Sequence, residues 1–151
     1  MLIYIVEDDD LKLEKLNEFL FSQLPNHQYK TGGSYQSGLR LIESETPDLV
    51  ILDMTLPTFD RAPNAREGRL RPLGGYDLLR KLQLRKIDTK IIILTQLVSF
   101  GEDSNKVSLG EITERCRAEF PKLFVDSVYF DQGDMSWQIS LLKIISEISN
   151  A

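Results

Sequence analysis

The chain has 151 residues, 42% hydrophobic and 27% charged, with a net charge of −5. That length suffices for one domain with its own core and no cross-links, and the acidic balance speaks against a nucleic-acid surface, which needs a basic face. A single cysteine, Cys116, permits no internal disulfide and suits a reducing cytoplasm.

The amino terminus enters a strand at once, Leu2-Ile3-Tyr4-Ile5-Val6, and the strand ends in Glu7-Asp8-Asp9. Neither a signal peptide nor a membrane span begins this way, so a cytoplasmic chain is expected. Asp9 or Asp10 can cap a helix whose Leu13, Leu16, Leu20 and Leu24 share a face, and Pro25-Asn26 stops it. A short strand over 28–31 and the Gly32-Gly33 turn precede a helix through Leu39 and Ile42 to Ser44. Pro47 then opens the most informative stretch, Asp48-Leu49-Val50-Ile51-Leu52-Asp53. Its uninterrupted apolar run predicts a strand buried on both faces, with one carboxylate delivered to its carboxyl end.

Residues 58–74 break the rhythm. They lack apolar periodicity and hold Pro63, Pro72 and four arginines (Arg61, Arg66, Arg69 and Arg71) against Asp60 and Glu67, a local net charge of +2. A loop this long within one domain is functional or solvated. A helix over 76–84 follows, with Leu78, Leu79 and Leu82 inward, and then a third buried strand, Lys90-Ile91-Ile92-Ile93-Leu94-Thr95. Beyond a polar connection over 96–107, Leu109, Ile112, Cys116 and Phe120 mark a helix over 109–119. Residues 125–130 read as a strand and 136–148 as a final helix. Its stripe of Trp137, Leu141, Ile144 and Ile148 reads mainly as core, with width enough to admit a partner or homodimer face.

Five strands alternating with five helices imply right-handed crossovers and a parallel sheet covered on both faces. The fold class is therefore α/β, a doubly wound five-stranded sheet, with the flavodoxin-like strand order 2-1-3-4-5 adopted for it. The expected organisation is a single domain over 1–151 with an insertion at 58–74 and no attached output domain.

Ligands of such sheets bind at the carboxyl ends of the strands, and three of those ends carry Glu7-Asp8, Asp53 and Thr95. Clustered acids repel unless a cation sits among them, and an all-oxygen ligand set favours Mg²⁺ over zinc. A carboxylate can attack phosphorus to form an aspartyl-phosphate. A metal and a hydroxyl such as that of Thr95 can then stabilise the transferring group.

The chain here resembles a response-regulator receiver domain of two-component signalling. The resemblance rests on Ile5-Val6-Glu7-Asp8-Asp9, on the run from Asp48 through Asp53 to Met54-Thr55-Leu56-Pro57, on Gly75-Tyr76-Asp77-Leu78-Leu79, and on Ile91-Ile92-Ile93-Leu94-Thr95. It implies a non-enzymatic phosphoprotein, capable at most of its own phosphorylation and dephosphorylation. Asp53 would be the phosphoacceptor and Thr95 the phosphate-sensing hydroxyl. Asp8, Asp53, the Thr55 backbone carbonyl and Glu7, directly or through water, would hold Mg²⁺. The implied partners are a histidine kinase or phosphotransfer protein and an unknown output protein, with no nucleic acid and no membrane. An aromatic of the fifth strand, Tyr129 (or Val128 in its place), would turn with Thr95 to reshape the signalling surface.

Two departures from the family stand out. The family ends its fifth strand with a lysine that grips the phosphoryl group, whereas Tyr129-Phe130-Asp131-Gln132-Gly133 holds none; the lysine's place falls on Asp131 or Gln132. The other is the 58–74 insertion, from which one of Arg66, Arg69 or Arg71 could supply the missing charge. Beside Thr95 the family prefers a small residue, and Gln96 is larger. The alternative function is a phosphorylation-independent pseudo-receiver acting as a protein-binding module. A phosphatase-like hydrolase is disfavoured, because its second aspartate would stand where Thr55 does.

Overall fold

Apolar residues that alternate between two faces build the sheet, in a computed structural model describing residues 1–60 and 70–150. In chain order the elements are β1 (Leu2–Val6), α1 (Asp10–Gln23), β2 (Gln28–Gly32), α2 (Tyr35–Ser44), β3 (Leu49–Leu52), β4 (Leu56–Pro57), β5 (Leu70–Arg71) and α3 (Gly74–Leu84). They continue with β6 (Lys90–Thr95), β7 (Ser99–Phe100), β8 (Val107–Ser108), α4 (Leu109–Glu119), β9 (Phe124–Tyr129) and α5 (Ser136–Ser149). Five of the strands form one sheet in the order β2-β1-β3-β6-β9, and its neighbouring pairs are all parallel. This is the expected 2-1-3-4-5 order of a flavodoxin-like sandwich.

The unbroken apolar run of β3 follows from burial on both sides. Leu49 and Ile51 face a core shared with Leu16, Phe19 and Leu20 of α1 and Trp137, Leu141 and Ile145 of α5. Val50 and Leu52 face the opposite core, built by Ile42 of α2, Leu78 and Leu82 of α3, and Ile112 and Cys116 of α4. Successive side chains of a strand point to opposite faces, so only a continuously apolar strand satisfies both layers. Cys116 is a core residue, as its helical spacing indicated; burial pushes its thiol up to about 12.

Several boundaries differ from the sequence reading, for local reasons. α3 opens at Gly74, two residues before the expected start at residue 76. The polar connection after β6 folds back on itself as an antiparallel β7–β8 ladder. The rims of the 58–74 insertion pair likewise, Leu56 with Arg71 and Pro57 with Leu70. The α5 stripe lies on the sheet through Trp137, Leu141 and Ile145; Ile139 of the same helix is 71% exposed.

Two residues tie this scaffold to the rim. Asp9 caps α1, its Oδ1 accepting the N–H groups of Leu11 (3.0 Å) and Lys12 (3.1 Å). The Lys12 N–H is the main reason the Asp9 carboxyl lies below its ordinary value. Gly75 donates its N–H to the Met54 carbonyl at 2.8 Å, and a Cβ at Gly75 would lie 2.7 Å from the Asp53 carbonyl oxygen and 3.1 Å from the Met54 Cα.

Removing the cap by Asp9→Ala is expected to cost about 1 kcal/mol in urea unfolding at pH 7. Because the folded carboxyl titrates below the unfolded one, its contribution is present above the unfolded value of 3.8 and is lost as the pH falls through the folded value. The gap between Asp9→Ala and the unaltered protein should therefore narrow in acid. Gly75→Ala forces the backbone after Asp53 to shift and should destabilise the fold by about 1–3 kcal/mol in the same assay.

Candidate phosphoacceptor and metal site

Three strand ends meet at one rim because β1, β3 and β6 are adjacent and parallel. The Asp53 N–H bonds to the Val6 carbonyl at 3.0 Å, which fixes the end of β3 against that of β1. Glu7, Asp8 and Asp53 consequently converge, each offering a carboxylate oxygen within 4.8 Å of the others. Asp8, Asp53, Thr55, Thr95 and Gln96 all line one cleft of ≈ 580 Å³. The sequence-predicted residues are thus brought together.

The two key acids are held differently. Glu7 is 3% exposed, and its Oε2 accepts the N–H groups of Asp8 (3.0 Å) and Asp9 (3.1 Å). Burial foremost, and then the Asp53 carboxylate, push its pKa up; the ammonium of Lys12 opposes them. Asp53 accepts the Met54 N–H at Oδ1, 2.8 Å. No hydrogen bond reaches Asp53 Oδ2 from the described residues.

Thr95 is fully buried and pinned from both sides. Its hydroxyl accepts the Leu97 N–H at 3.1 Å, and its carbonyl accepts the Phe130 N–H at 2.7 Å. Gln96, the bulky residue beside it, bridges the rim: its side chain donates to Asp9 Oδ2 (3.3 Å) and accepts from Gln132 (3.1 Å). Thr55 turns its hydroxyl away to the Pro72 carbonyl, 2.9 Å.

The sequence reading missed Lys12. It stands on the buried stripe of α1 with Leu16, Phe19 and Leu20, and is itself 1% exposed. Its Nζ forms an ion pair with Glu7 Oε1, donates to the Leu94 carbonyl at 2.6 Å, and lies 3.4 Å from Asp53 Oδ1. A lysine four residues before Leu16, on the apolar face, was the available signal. Buried charges persist when paired and hydrogen-bonded, and this one has carboxylate partners on two strands.

Arg66 and Arg69 lie outside the described residues. Arg71 is engaged elsewhere: its Nε donates to Thr58 Oγ1 (3.0 Å), its guanidinium covers the Tyr35 ring at 4.2 Å, and Nη1 lies 3.6 Å from Asp77. At the end of β9, Asp131 is exposed and accepts the Gly133 N–H at 2.9 Å. The residue turned inward there is Phe130, 1% exposed, whose ring centroid is 5.9 Å from Lys12 Nζ.

Comparison with known proteins accords with this geometry. The profile of the response regulator receiver domain matches residues 3–108, ending before α4 and β9. The Detocs response regulatory protein DtcB of Enterobacter cloacae is 29% identical over 150 residues, covering 98% of this chain and 100% of that protein. A protein of Sinorhizobium fredii, y4jR, is 29% identical over 140 residues, with 91% of each chain covered. Among solved structures, response regulator protein TrrA of Thermotoga maritima, in complex with Mg²⁺-BeF, superposes with a TM-score of 0.58 at 20% identity, covering 95% of this chain and 97% of that one. A five-stranded parallel sandwich, an acidic rim at the ends of β1 and β3, and a profile match over most of its length make this chain a member of the response regulator receiver domain family.

Proposed function

We propose that this receiver accepts a phosphoryl group on Asp53 and signals through protein–protein contacts rather than through catalysis on other molecules. The observation that carries the reading is the convergence of Glu7, Asp8 and Asp53 at the rim, with the Asp53 Oδ2 lone pairs unengaged by the described residues. The all-oxygen donor set fits Mg²⁺, held by Asp8, Asp53, the Thr55 carbonyl and Glu7. When bound, the ion neutralises charge on the phosphoryl oxygens.

The protein's own residues do the rest. The Met54 N–H fixes one oxygen of Asp53 and leaves the other as nucleophile. Thr95 can give up its Leu97 contact and donate its hydroxyl to a phosphoryl oxygen. Tyr129 pairs in register with Thr95 and is 44% exposed, while Val128 is buried. Tyr129 is therefore the side chain free to turn when Thr95 moves, shifting the population between two surface packings. The donor is a histidine kinase or phosphotransfer protein, and the receiving partner reads the face around α4 and β9.

A second reading, a phosphorylation-independent receiver, is favoured by Phe130, an apolar residue turned inward at the end of β9. Acetyl phosphate with Mg²⁺ separates the two. Phosphorylation should add 80 Da by mass spectrometry (the mass of HPO₃, about 80), and the adduct should vanish in Asp53→Ala. Absence of any adduct, together with no Mg²⁺-dependent binding of beryllofluoride, would sink the phosphoacceptor reading and leave the binding module.

A further inference from the structure

We propose that Lys12 is the phosphoryl-binding cation of this receiver, supplying from α1 the ammonium that the family delivers from its fifth strand. The inference rests on the phosphoacceptor reading of Asp53 and goes beyond it.

Position comes first. Of the cationic side chains among the described residues, Lys12 is the one within ion-pair distance of Asp53, at 3.4 Å. Its Nζ also lies 5.9 Å from the ring of Phe130, the inward residue where β9 runs out. The ammonium thus reaches the end of the fifth sheet strand from the opposite direction. It lies beneath the floor of the cleft, since Lys12 is 1% exposed while Asp53 forms part of the lining.

Bonding comes second. Two of the three donor directions of Nζ are anchored, one on Glu7 Oε1 and one on the Leu94 carbonyl. Asp53 Oδ1 is the farthest of the three oxygens around Nζ, in ion-pair contact at 3.4 Å. It is the contact a phosphoryl oxygen on Asp53 can replace without disturbing the anchors. Charge comes third. Among the described residues, Lys12 brings an ammonium to the cluster of Glu7, Asp8 and Asp53 through its ion pairs with Glu7 and Asp53. During transfer from acetyl phosphate, the bond between phosphorus and the acyl oxygen breaks and acetate leaves with its electron pair. Asp53 forms the new phosphorus–oxygen bond, and Lys12 donates a hydrogen bond without giving up its proton.

A purely structural role for Lys12, as counter-ion to buried Glu7, makes a different prediction, so the two are separable. In the full chain with Mg²⁺, beryllofluoride binding is measured by calorimetry for the unaltered protein and for Lys12→Met. The proposal expects the variant to bind at least about tenfold more weakly, the size of one lost charge-assisted hydrogen bond. Mg²⁺ alone should bind no more weakly, because a competing cation has been removed. Equal beryllofluoride affinity in the two proteins, whatever the change in melting temperature, overturns the role of Lys12 and leaves Asp53 as phosphoacceptor. No beryllofluoride binding by the unaltered protein overturns both. If Lys12→Met does not fold, the ¹⁵Nζ resonance of Lys12 in the unaltered protein decides: it should shift on adding beryllofluoride at constant Mg²⁺, and an unmoved resonance with beryllofluoride bound overturns the proposal.

Discussion

The contact on which the rim depends is the buried ammonium of Lys12 between Glu7 and Asp53. Parallel β1 and β3 deliver these acids side by side, and the Asp53 carboxylate adds to burial in pushing that of Glu7 toward protonation. A carboxylate as buried as Glu7 needs a counter-charge or a proton. The structure provides the counter-charge from α1, along with two backbone N–H groups. Such a cluster is no free source of stability, since desolvating the charges offsets much of their attraction. Its consequence is geometric: the acids are held at one spacing, with Asp53 gripped at one oxygen.

The remainder of the rim serves that spacing. Asp9 caps α1 through the backbone N–H groups of Leu11 and of Lys12 itself. Gly75 lets α3 begin against the backbone that follows Asp53, an approach no side chain would permit. Gln96 links Asp9 to Gln132 and draws together the ends of β1, β6 and β9. The Gly75 and Gln96 contacts join segments distant in sequence, so the site is a property of strand adjacency rather than of any one motif.

Much of this was legible beforehand. The apolar run of β3 announced a strand buried on both faces, with the Asp53 carboxylate delivered to its carboxyl end. The boundaries of α1, α4 and α5 followed from apolar spacing, with a cap read only for α1. The ladders of β4 with β5 and β7 with β8 were not legible, because two-residue strands carry no periodicity and form only through partners across a turn. Nor was the position left open by the absent lysine. Alignment by sequence placed it on Asp131 or Gln132, which the chain exposes, whereas the buried residue at that turn is Phe130.

Sequence by itself determined the sheet, its order of elements and the three acids, since period and residue type are local properties of the chain. Only the tertiary structure decided that Lys12 brings a positive charge to two of them. A lysine on a helix reads as solvated, and its burial depends on what packs above it. Here α1 lies against the face formed by Ile3, Ile5, Ile51 and Leu94, and at that depth the nearest oxygens are those of Glu7, Asp53 and the Leu94 carbonyl. The long methylene stem lies along the apolar layer and its charged end meets the rim from below, a placement fixed by packing between α1 and the sheet and by nothing in the sequence near Asp53.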